Sequence, residues 1–338
     1  MLLISALVAA AGPAAAQEIP SAAAEAPPAG SVHCSVTHPA LAELSGLVVA
    51  GNRLLALNDG GDRLAVHVLD STCAVIEVRE AAVDPYDPED LALTADGTIW
   101  VADIGDNAGD RATVALHAMR PDGGSSIYRL TYPDGAHDAE ALLMAPDGTP
   151  YLVTKEVLGA SGLYRPVSDL VAGATLALER VGSVPITLTG TPGGPVGRAG
   201  QLMVTGGAVS GDGGLVALRT YTDAYLWPLV GSDVPGALAA KPIRVPLPPS
   251  DQGEAINFAN DGRRLVIAGE GLPSDVVVVP TASFLEPVAA TLPPPGSVAP
   301  VAETAGSSQS PFVSAAIAAF VATVVVWIGG MIRRPSRL

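Results

Sequence analysis

Short apolar segments separated by tight turns recur through the middle of the chain. The stretch 88–107, PEDLALTADGTIWVADIGDN, shows the unit: two apolar segments flank an Asp-Gly turn, and carboxylates stand at both ends. Asp-Gly between apolar segments is typical of a β-hairpin. Four further stretches repeat this spacing, with a leading residue eight positions before a turn glycine. The leading residues are Glu43, Glu89, Glu140, Thr205 and Glu254. The pattern therefore predicts five hairpins in one register.

Two further apolar segments accompany each hairpin, one after it and one before the next. The segments that follow the hairpins are 64–70, 114–120, 162–167, 224–230 and 276–280. The segments that precede the leading positions are 32–36, 74–79, 126–132, 176–184 and 242–247. Leading positions are 46, 51, 65 and 49 residues apart, and the longest interval contains a Gly/Pro-rich insertion around 185–200. Twenty strands in five sets of four predict an all-β, five-bladed β-propeller.

The first and last strands suggest how the ring closes. Strand 32–36 has no earlier set to join, whereas the set that begins at Glu254 has only three strands. We expect the N-terminal strand to complete the last blade, which removes an exposed edge. Cys34 lies on this strand, and Cys73 is the only other cysteine. Outside the cytoplasm the two could form a disulfide; two free buried thiols are the alternative.

Both ends of the chain differ in composition from the repeats. Residues 1–16 are apolar and end in three alanines, which predicts a signal peptide, although no basic residue precedes them. We predict that residues 17–31 are disordered, that 32–283 form the propeller and that 284–311 form a Pro/Ala/Ser-rich stalk. The uncharged segment 312–332 is long enough to span a bilayer, and 333–338 is a basic tail that predicts the cytoplasmic side. The sequence thus predicts a single-pass membrane protein with its propeller outside the cytoplasm.

The net charge of −16 restricts the partners. An acidic body repels phosphate backbones, so nucleic acid is excluded as a partner. Metal cations, basic ligands and basic extracellular proteins remain, and we expect the exported domain to be monomeric.

The carboxylates are predicted to meet at one mouth of the central channel. The first strand of each hairpin starts at this mouth and the second, being antiparallel, returns to it. The expected metal ligands are Glu43, Asp59, Glu89, Asp103, Asp106, Glu140, Glu156, Glu254 and Glu270. Clustered carboxylates need neutralisation, and Ca²⁺ prefers such oxygen ligands. The alternative is that these side chains serve the fold by accepting hydrogen bonds from strand N–H groups.

Basic and aromatic residues accompany the carboxylates. Lys155, Arg219 and Tyr221 fall in the same zone and are candidate ligand-binding residues, as is Arg111. Trp100 and Trp227 are interpreted as packing residues between blades.

Several segments carry a family resemblance. They are DPEDLAL and DGTIWVADIGDN with Arg111, YRLTYPDGAHDAEALL, YLVTKE, VALRTYTDAYLWP and QGEAI. Over roughly residues 32–281 the chain resembles exported, membrane-anchored bacterial β-propeller proteins, often actinobacterial, that are loosely grouped with phytase-like and WD40-like propellers. Propeller phytases hold phosphate at one mouth through calcium bound by acidic residues. The resemblance therefore implies a calcium site and a calcium-dependent phosphoric monoester hydrolase as one possible activity.

Two functions remain open. The first is a binding or scaffold domain with a cation at its acidic mouth, which agrees with the lack of a G-x-S-x-G, H-E-x-x-H or P-loop motif. The second is a metal-dependent phosphoesterase, in which Lys155 or Arg219 stabilises the charge that develops on phosphorus oxygens. A purely structural ring of carboxylates is a third, weaker interpretation.

Overall fold

The protein is described here by a computed structural model that covers residues 26–289. Strands dominate this region. They are β1 (Ser31–Val36), β2 (Leu44–Ala50), β3 (Arg53–Asn58), β4 (Leu64–Leu69), β5 (Val75–Ala81), β6 (Pro88–Leu93), β7 (Ile99–Asp103), β8 (Val114–Met119), β9 (Ser125–Thr131), β10 (Ala139–Met144), β11 (Pro150–Thr154), β12 (Ala160–Pro166), β13 (Thr175–Pro185), β14 (Val204–Val209), β15 (Leu215–Thr220), β16 (Asp223–Pro228), β17 (Ile243–Pro246), β18 (Gly253–Phe258), β19 (Arg264–Gly269) and β20 (Ser274–Pro280). Two short helices, α1 (Val234–Ala239) and α2 (Ala282–Ala289), and two 3₁₀ turns, Pro39–Leu41 and Gly197–Gln201, complete the description.

The strands form antiparallel sheets largely in chain order. One sheet contains β2–β5 and another contains β14–β17. A third has the order β1-β20-β19-β18, so the N-terminal strand completes the last set, as the pattern of apolar segments predicts. The fourth sheet has eight strands, because β13 pairs in parallel with β9 and joins β10–β13 to β6–β9. This parallel pairing was not predicted.

The first strands of the hairpins lie against one another in cyclic order. Strand β2 contacts β6, β6 contacts β10, β10 contacts β14, β14 contacts β18, and β18 contacts β2. Small residues allow this close approach: a Cβ at Gly207 of β14 would lie 2.9 Å from the Leu143 side chain and 3.0 Å from the Ala141 Cβ. Buried aliphatic side chains from neighbouring sheets fill the spaces between them. The described region is therefore an all-β, propeller-like fold.

A disulfide ties the closing strand to the first sheet. Cys34 of β1 is bonded to Cys73, which lies in the turn between β4 and β5. Asp70 orders that turn by accepting hydrogen bonds from the Thr72 and Ala74 N–H groups. The two sheets at the closure are thus linked covalently as well as by packing.

The C-terminal limit of the described region is helical. Phe284 and Leu285 pack against the core of the last sheets, and their N–H groups bond to the Thr281 carbonyl. Residues 284–289, predicted as the start of an extended stalk, therefore belong to α2. The predicted signal peptide at 1–16, most of the stalk, and the segments 312–332 and 333–338 lie outside the described residues. Between residues 26 and 289, no helix combines the length and apolar character needed to cross a membrane.

Candidate functional site: an acidic mouth

A β-bulge recurs at the start of every hairpin. In four of the first strands one residue is added between two paired positions, and these residues are Ser45, Glu89, Glu140 and Thr205. In β18, Glu254 and Ala255 together lie opposite Ala268, and Glu254 is the fifth bulged residue. A bulge bends the strand and redirects a side chain. All five side chains are buried, at 1–5% exposure. They form the innermost layer of one end of the molecule.

The bulge corrects one sequence assignment. Glu43 shares the spacing of the other leading residues, yet the inner position of the first hairpin is held by Ser45. The first hairpin has two residues fewer between its bulge and its turn glycine than the other hairpins. Counting eight positions back from the glycine therefore gives Glu43 instead of Ser45. Ser45 Oγ donates to the Pro88 carbonyl at 3.0 Å, and Thr205 Oγ1 donates to the Gly253 carbonyl at 2.9 Å. At both positions without Glu, a hydroxyl thus binds the backbone just before the next glutamate.

Two further layers surround the bulged residues. The residues that directly follow the second strands are Asp59, Ile104, Lys155, Tyr221 and Glu270. The residues two positions before the bulges include Glu43, Asp87, Asp138 and Gln252. Backbone bonds join the two layers: Asp59 N to Glu43 O, Lys155 N to Asp138 O, and Glu270 N to Gln252 O, each 2.9 Å. Asp87, Asp138 and Gln252 were missed in the sequence, although a shift of two positions from each leading glutamate would have identified them.

We use the name acidic mouth for the carboxylates Glu43, Asp59, Asp87, Glu89, Glu140, Glu254 and Glu270. Lys155 lies among them, with its Nζ 2.6 Å from Glu140 Oε1. Its ammonium lowers the pKa values of Glu140, Glu89 and Glu254, although burial is the largest influence on all three. Burial also acts to lower the Lys155 pKa, but Glu140 and Glu254 outweigh it, so that this pKa is raised. Lys155 therefore remains charged and holds one carboxylate directly.

One ammonium does not neutralise the whole mouth. Burial, followed by repulsion from the neighbouring carboxylates, raises the pKa values of Glu89 and Glu254 well above normal. Burial also raises the pKa of Glu140 to about 7. The Glu140 and Asp87 carboxylates are the neighbours that contribute most to the rise in the Glu89 pKa after burial. The inner carboxyl groups thus retain protons at pH values where exposed carboxyl groups have lost them.

The outer part of the mouth is more accessible. Asp59 is half-buried, and burial together with Glu43, Glu270 and Asp87 raises its pKa to about 7. Glu43 is exposed, and Glu270 accepts a short hydrogen bond from Gln252 Nε2. This outer part is open to a group approaching from solvent.

One inner carboxylate oxygen has no partner. Glu254 is 4% exposed, and its Oε2 forms no hydrogen bond within residues 26–289. Leaving a buried carboxylate oxygen unpaired costs about 1–3 kcal/mol or more. The neighbouring charges are those of Glu140, Lys155, Glu270 and Arg219. Glu254 is therefore the group in the mouth whose bonding capacity the fold leaves unused.

Hydrogen bonds to nearby backbone groups hold the side chains of Asp103, Asp106 and Arg111. Asp103 accepts from the Tyr86 and Asp87 N–H groups and from Arg111 Nη2 at 2.8 Å. Despite burial, hydrogen bonds from His117 and the backbone and the Arg111 charge hold its pKa at about 2. Asp106 accepts from the N–H groups of residues 110 and 111. Arg111 also donates to the Gly105 carbonyl at 2.6 Å. These contacts match the structural alternative of hydrogen bonds to the backbone.

Arg219 is buried away from solvent. Its Nη1 donates to the Ala255 and Ala268 carbonyls, each at 2.7 Å, and burial lowers its pKa to about 10. Gly253 gives it room, because a Cβ there would collide with the guanidinium. Arg219 therefore connects β15 to the backbones of β18 and β19.

Tyr221 and Glu156 flank Lys155. The Lys155 ammonium lies 5.6 Å from the centre of the Tyr221 ring, and the ring is covered by Gly194 and Gly200 of the insertion before β14. Glu156 accepts a hydrogen bond from the Thr154 hydroxyl at 3.1 Å and lies 4.0 Å from His137 Nδ1. Tyr221 therefore contacts the lysine of the acidic mouth, whereas the contacts of Glu156 are with Thr154 and His137.

Over the part of the chain that the structure describes, no three carboxylate, imidazole or thiol side chains lie close enough together to hold a metal ion.

Comparisons with known proteins assign no family to the chain. No family model matches it, and no curated protein matches it. Among solved structures it is similar to a gluconolactonase of Xanthomonas campestris, at 18% identity over 70% of this chain and 72% of the other, with a TM-score of 0.42. It is also similar to the PQQ-bound aldose sugar dehydrogenase of Streptomyces coelicolor, at 13% identity over 75% and 99% of the two chains, with a TM-score of 0.39. With TM-scores this low, the similarities carry no argument about fold or function.

Proposed function

We propose that the chain is a binding domain whose acidic mouth receives a positively charged group. The proposed architecture is a five-bladed propeller, with the five bulged inner strands β2, β6, β10, β14 and β18 each beginning one blade. Their cyclic contacts support this count, because each inner strand touches the next and the last touches the first.

The unpaired Glu254 Oε2 carries the functional proposal. A buried carboxyl oxygen without a hydrogen-bond partner is costly in either protonation state, and the fold already brings Lys155 into the same cluster without satisfying it. A second cation that bonds to this oxygen removes the penalty and reduces the repulsion among the remaining carboxylates. The outer carboxylates Glu43, Asp59 and Glu270 provide an attractive path from solvent.

The arrangement favours an ammonium or guanidinium group as the bound cation. Lys155 demonstrates that the mouth accommodates an ammonium with direct carboxylate bonding at 2.6 Å. Calcium takes about six to eight oxygen ligands, so its binding requires the carboxylates to draw closer together than they are here. A basic organic ligand and calcium are both positively charged, and the thermal unfolding experiment below distinguishes between them.

The phosphoesterase hypothesis receives no support from the basic residues. Arg111 and Arg219 both bond to backbone carbonyls, so neither guanidinium is directed toward a phosphate in the mouth. Lys155 is bonded to Glu140. A phosphate at this position would face predominantly carboxylates, which repel it.

We further propose that the domain acts outside the cytoplasm, attached to the membrane by segment 312–332 after export directed by residues 1–16. The Cys34–Cys73 disulfide supports an oxidising compartment, because disulfides persist mainly in exported proteins. The absence of charge over positions 312–332 supports the anchor.

Thermal unfolding of the full-length protein tests the proposal. The protein is melted in EDTA, in millimolar CaCl₂ and in millimolar pentalysine, at constant ionic strength. A ligand bound at a concentration of about 100 Kd stabilises the native state by roughly 2.7 kcal/mol. We expect pentalysine to raise the Tm; a rise with calcium alone identifies a metal site instead. No rise with either cation would contradict the proposal.

A further inference from the structure

A cavity of about 500 Å³ lies at the seam between β6–β9 and β10–β13, away from the acidic mouth. Its aromatic residues are Trp100 and Tyr128, and its polar residues include Asp147, Arg165, Asp169 and Glu179. The hairpin tip at 147–150 forms one wall and the turn after β12 forms another. The volume is that of a typical small-molecule site.

The aromatic residues form one continuous surface. The rings of Trp100 and Tyr128 have centroids 5.4 Å apart and an angle of 32° between their planes. Trp100 pairs across the sheet with Ala92 and Ala118, whose side chains are small. Both rings are only half-buried. Trp100 and Trp227 both pack in the core, as the sequence predicts, but Trp100 is half-buried whereas Trp227 is only 1% exposed.

Charged groups border the aromatic surface. Arg165 Nε bonds to Glu179 Oε1 at 2.9 Å, and more than two fifths of each side chain is exposed. The Asp147 carboxylate is oriented by the Thr149 N–H group at 3.0 Å. A guanidinium beside carboxylates presents donors and acceptors together, which is the combination that a hydroxyl group uses.

The charge balance restricts the ligand. Three carboxylates against one guanidinium leave the cavity acidic, which disfavours phosphates, sulfates and carboxylated ligands. A neutral saccharide matches both features, since the C–H face of a pyranose packs on aromatic rings while its hydroxyls bond to charged edges. We propose that this cavity, here called the seam cavity, is a binding site for a neutral saccharide.

The seam cavity is independent of the cation site. Strand β10 has Glu140 of the acidic mouth at its start and ends at Met144, three residues before Asp147, so the two sites lie at opposite ends of this strand. The parallel pairing of β13 with β9 places Tyr128 beside the junction, because Arg129 is paired with Thr175. The cavity therefore lies beside the junction where β6–β9 and β10–β13 join into one sheet.

Calorimetric titration of the full-length protein with maltotriose, cellotriose and mannotriose tests the site. A detergent without a sugar head group keeps the protein in solution. We expect saturable binding of at least one trisaccharide, weakened about tenfold or more by Trp100→Ala. Trp100→Phe, which retains a ring and the packing, should bind with intermediate affinity.

Two controls separate the possible outcomes. Glu254→Gln alters the acidic mouth and should leave trisaccharide binding unchanged, so failure of the cation proposal does not affect this test. If none of the three sugars binds, or if Trp100→Ala binds as the wild type does while remaining folded by circular dichroism, the seam cavity is not a saccharide site.

Discussion

Lys155 Nζ and Glu140 Oε1 are 2.6 Å apart at the centre of a cluster of buried carboxyl groups. The lysine follows the second strand of its hairpin, and the glutamate occupies the bulge in the first. One hairpin therefore supplies both the cation and its closest anion. Burial raises the pKa values of Asp59, Glu89, Glu254 and Glu270, and the same ammonium opposes this rise in all four. One side chain therefore acts on most of the carboxyl groups of the mouth.

Replacing this lysine should reveal its electrostatic role through pH. Lys155→Met is expected to lower the free energy of unfolding by about 2–3 kcal/mol at pH 8, because Glu140 loses its partner. The loss should be under about 1 kcal/mol at pH 5, since Glu140 then carries a proton. Urea unfolding at both pH values measures the difference. The matched control is Lys241→Met, because Lys241 is the only other lysine and is exposed. Equal losses of Lys155→Met at the two pH values would refute the electrostatic explanation.

Stability should decrease as the pH rises toward neutrality. Asp59 and Glu140 have native pKa values of about 7, against ordinary values of 3.8 and 4.5. Because the native state binds these protons more tightly, their contribution is complete below pH about 4 and is lost as the pH rises through 7. Unfolding curves from pH 5 to 8 without added cation should show this decline. Asp59→Asn should reduce the slope, whereas Asp122→Asn, at an exposed turn, should not.

Asp90 is expected to contribute strongly to stability. Its Oδ1 accepts from Leu91 N, and its Oδ2 accepts from Leu142 N of β10 and Gly207 N of β14. Asp90→Asn places an amide NH₂ against backbone donors, which should cost about 2 kcal/mol or more. Asp96→Asn, at a turn where the carboxylate also accepts a backbone N–H, is the control and should cost less than about 1 kcal/mol. Similar losses in both variants would show that Asp90 does not tie the inner strands together.

The disulfide should stabilise the closure of the ring. Cys34 and Cys73 are separated by 39 residues, and a crosslink over such a loop stabilises by roughly 4 kcal/mol through the unfolded state. The double variant Cys34→Ser/Cys73→Ser should therefore unfold at a lower guanidinium concentration than the wild type under oxidising conditions. With a reducing agent present, the two proteins should unfold at nearly the same concentration. A variant as stable as the oxidised wild type would show that the bond contributes nothing to closure.

The sequence predicted the repeat because hairpin chemistry is local. Apolar alternation and Asp-Gly turns placed strands such as β7 and β11 where the structure has them, and the unmatched first strand predicted the pairing of β1 with β20. The parallel pairing of β13 with β9 depends on contacts between residues about 46 positions apart, for example Thr175 with Arg129, which no turn signal reports. The bulge is a similar case, because the shorter first hairpin placed Ser45 in a position that the spacing assigned to Glu43.

The roles of charged residues were the least predictable part of the site. Composition showed an acidic end, but Asp103 and Arg111 bond to each other and to the backbone, whereas Asp87 belongs to the mouth. Whether a charged side chain bonds to the backbone or lies in the mouth depends on the conformation of the loop that follows its strand. Spacing indicates which residues are near one end of the sheet, and burial and hydrogen bonds decide which of them remain available to a ligand.

Calorimetric titration of cations into the wild type and Glu254→Gln tests the cation site most directly. Glu77→Gln, at an exposed position on β5, is the matched control. We predict saturable binding of pentalysine to the wild type and to Glu77→Gln, with at least about tenfold weaker binding to Glu254→Gln. Calcium is titrated in parallel to identify a metal site. If neither cation binds, or if Glu254→Gln binds both as tightly as the wild type, the acidic mouth is not a cation-binding site.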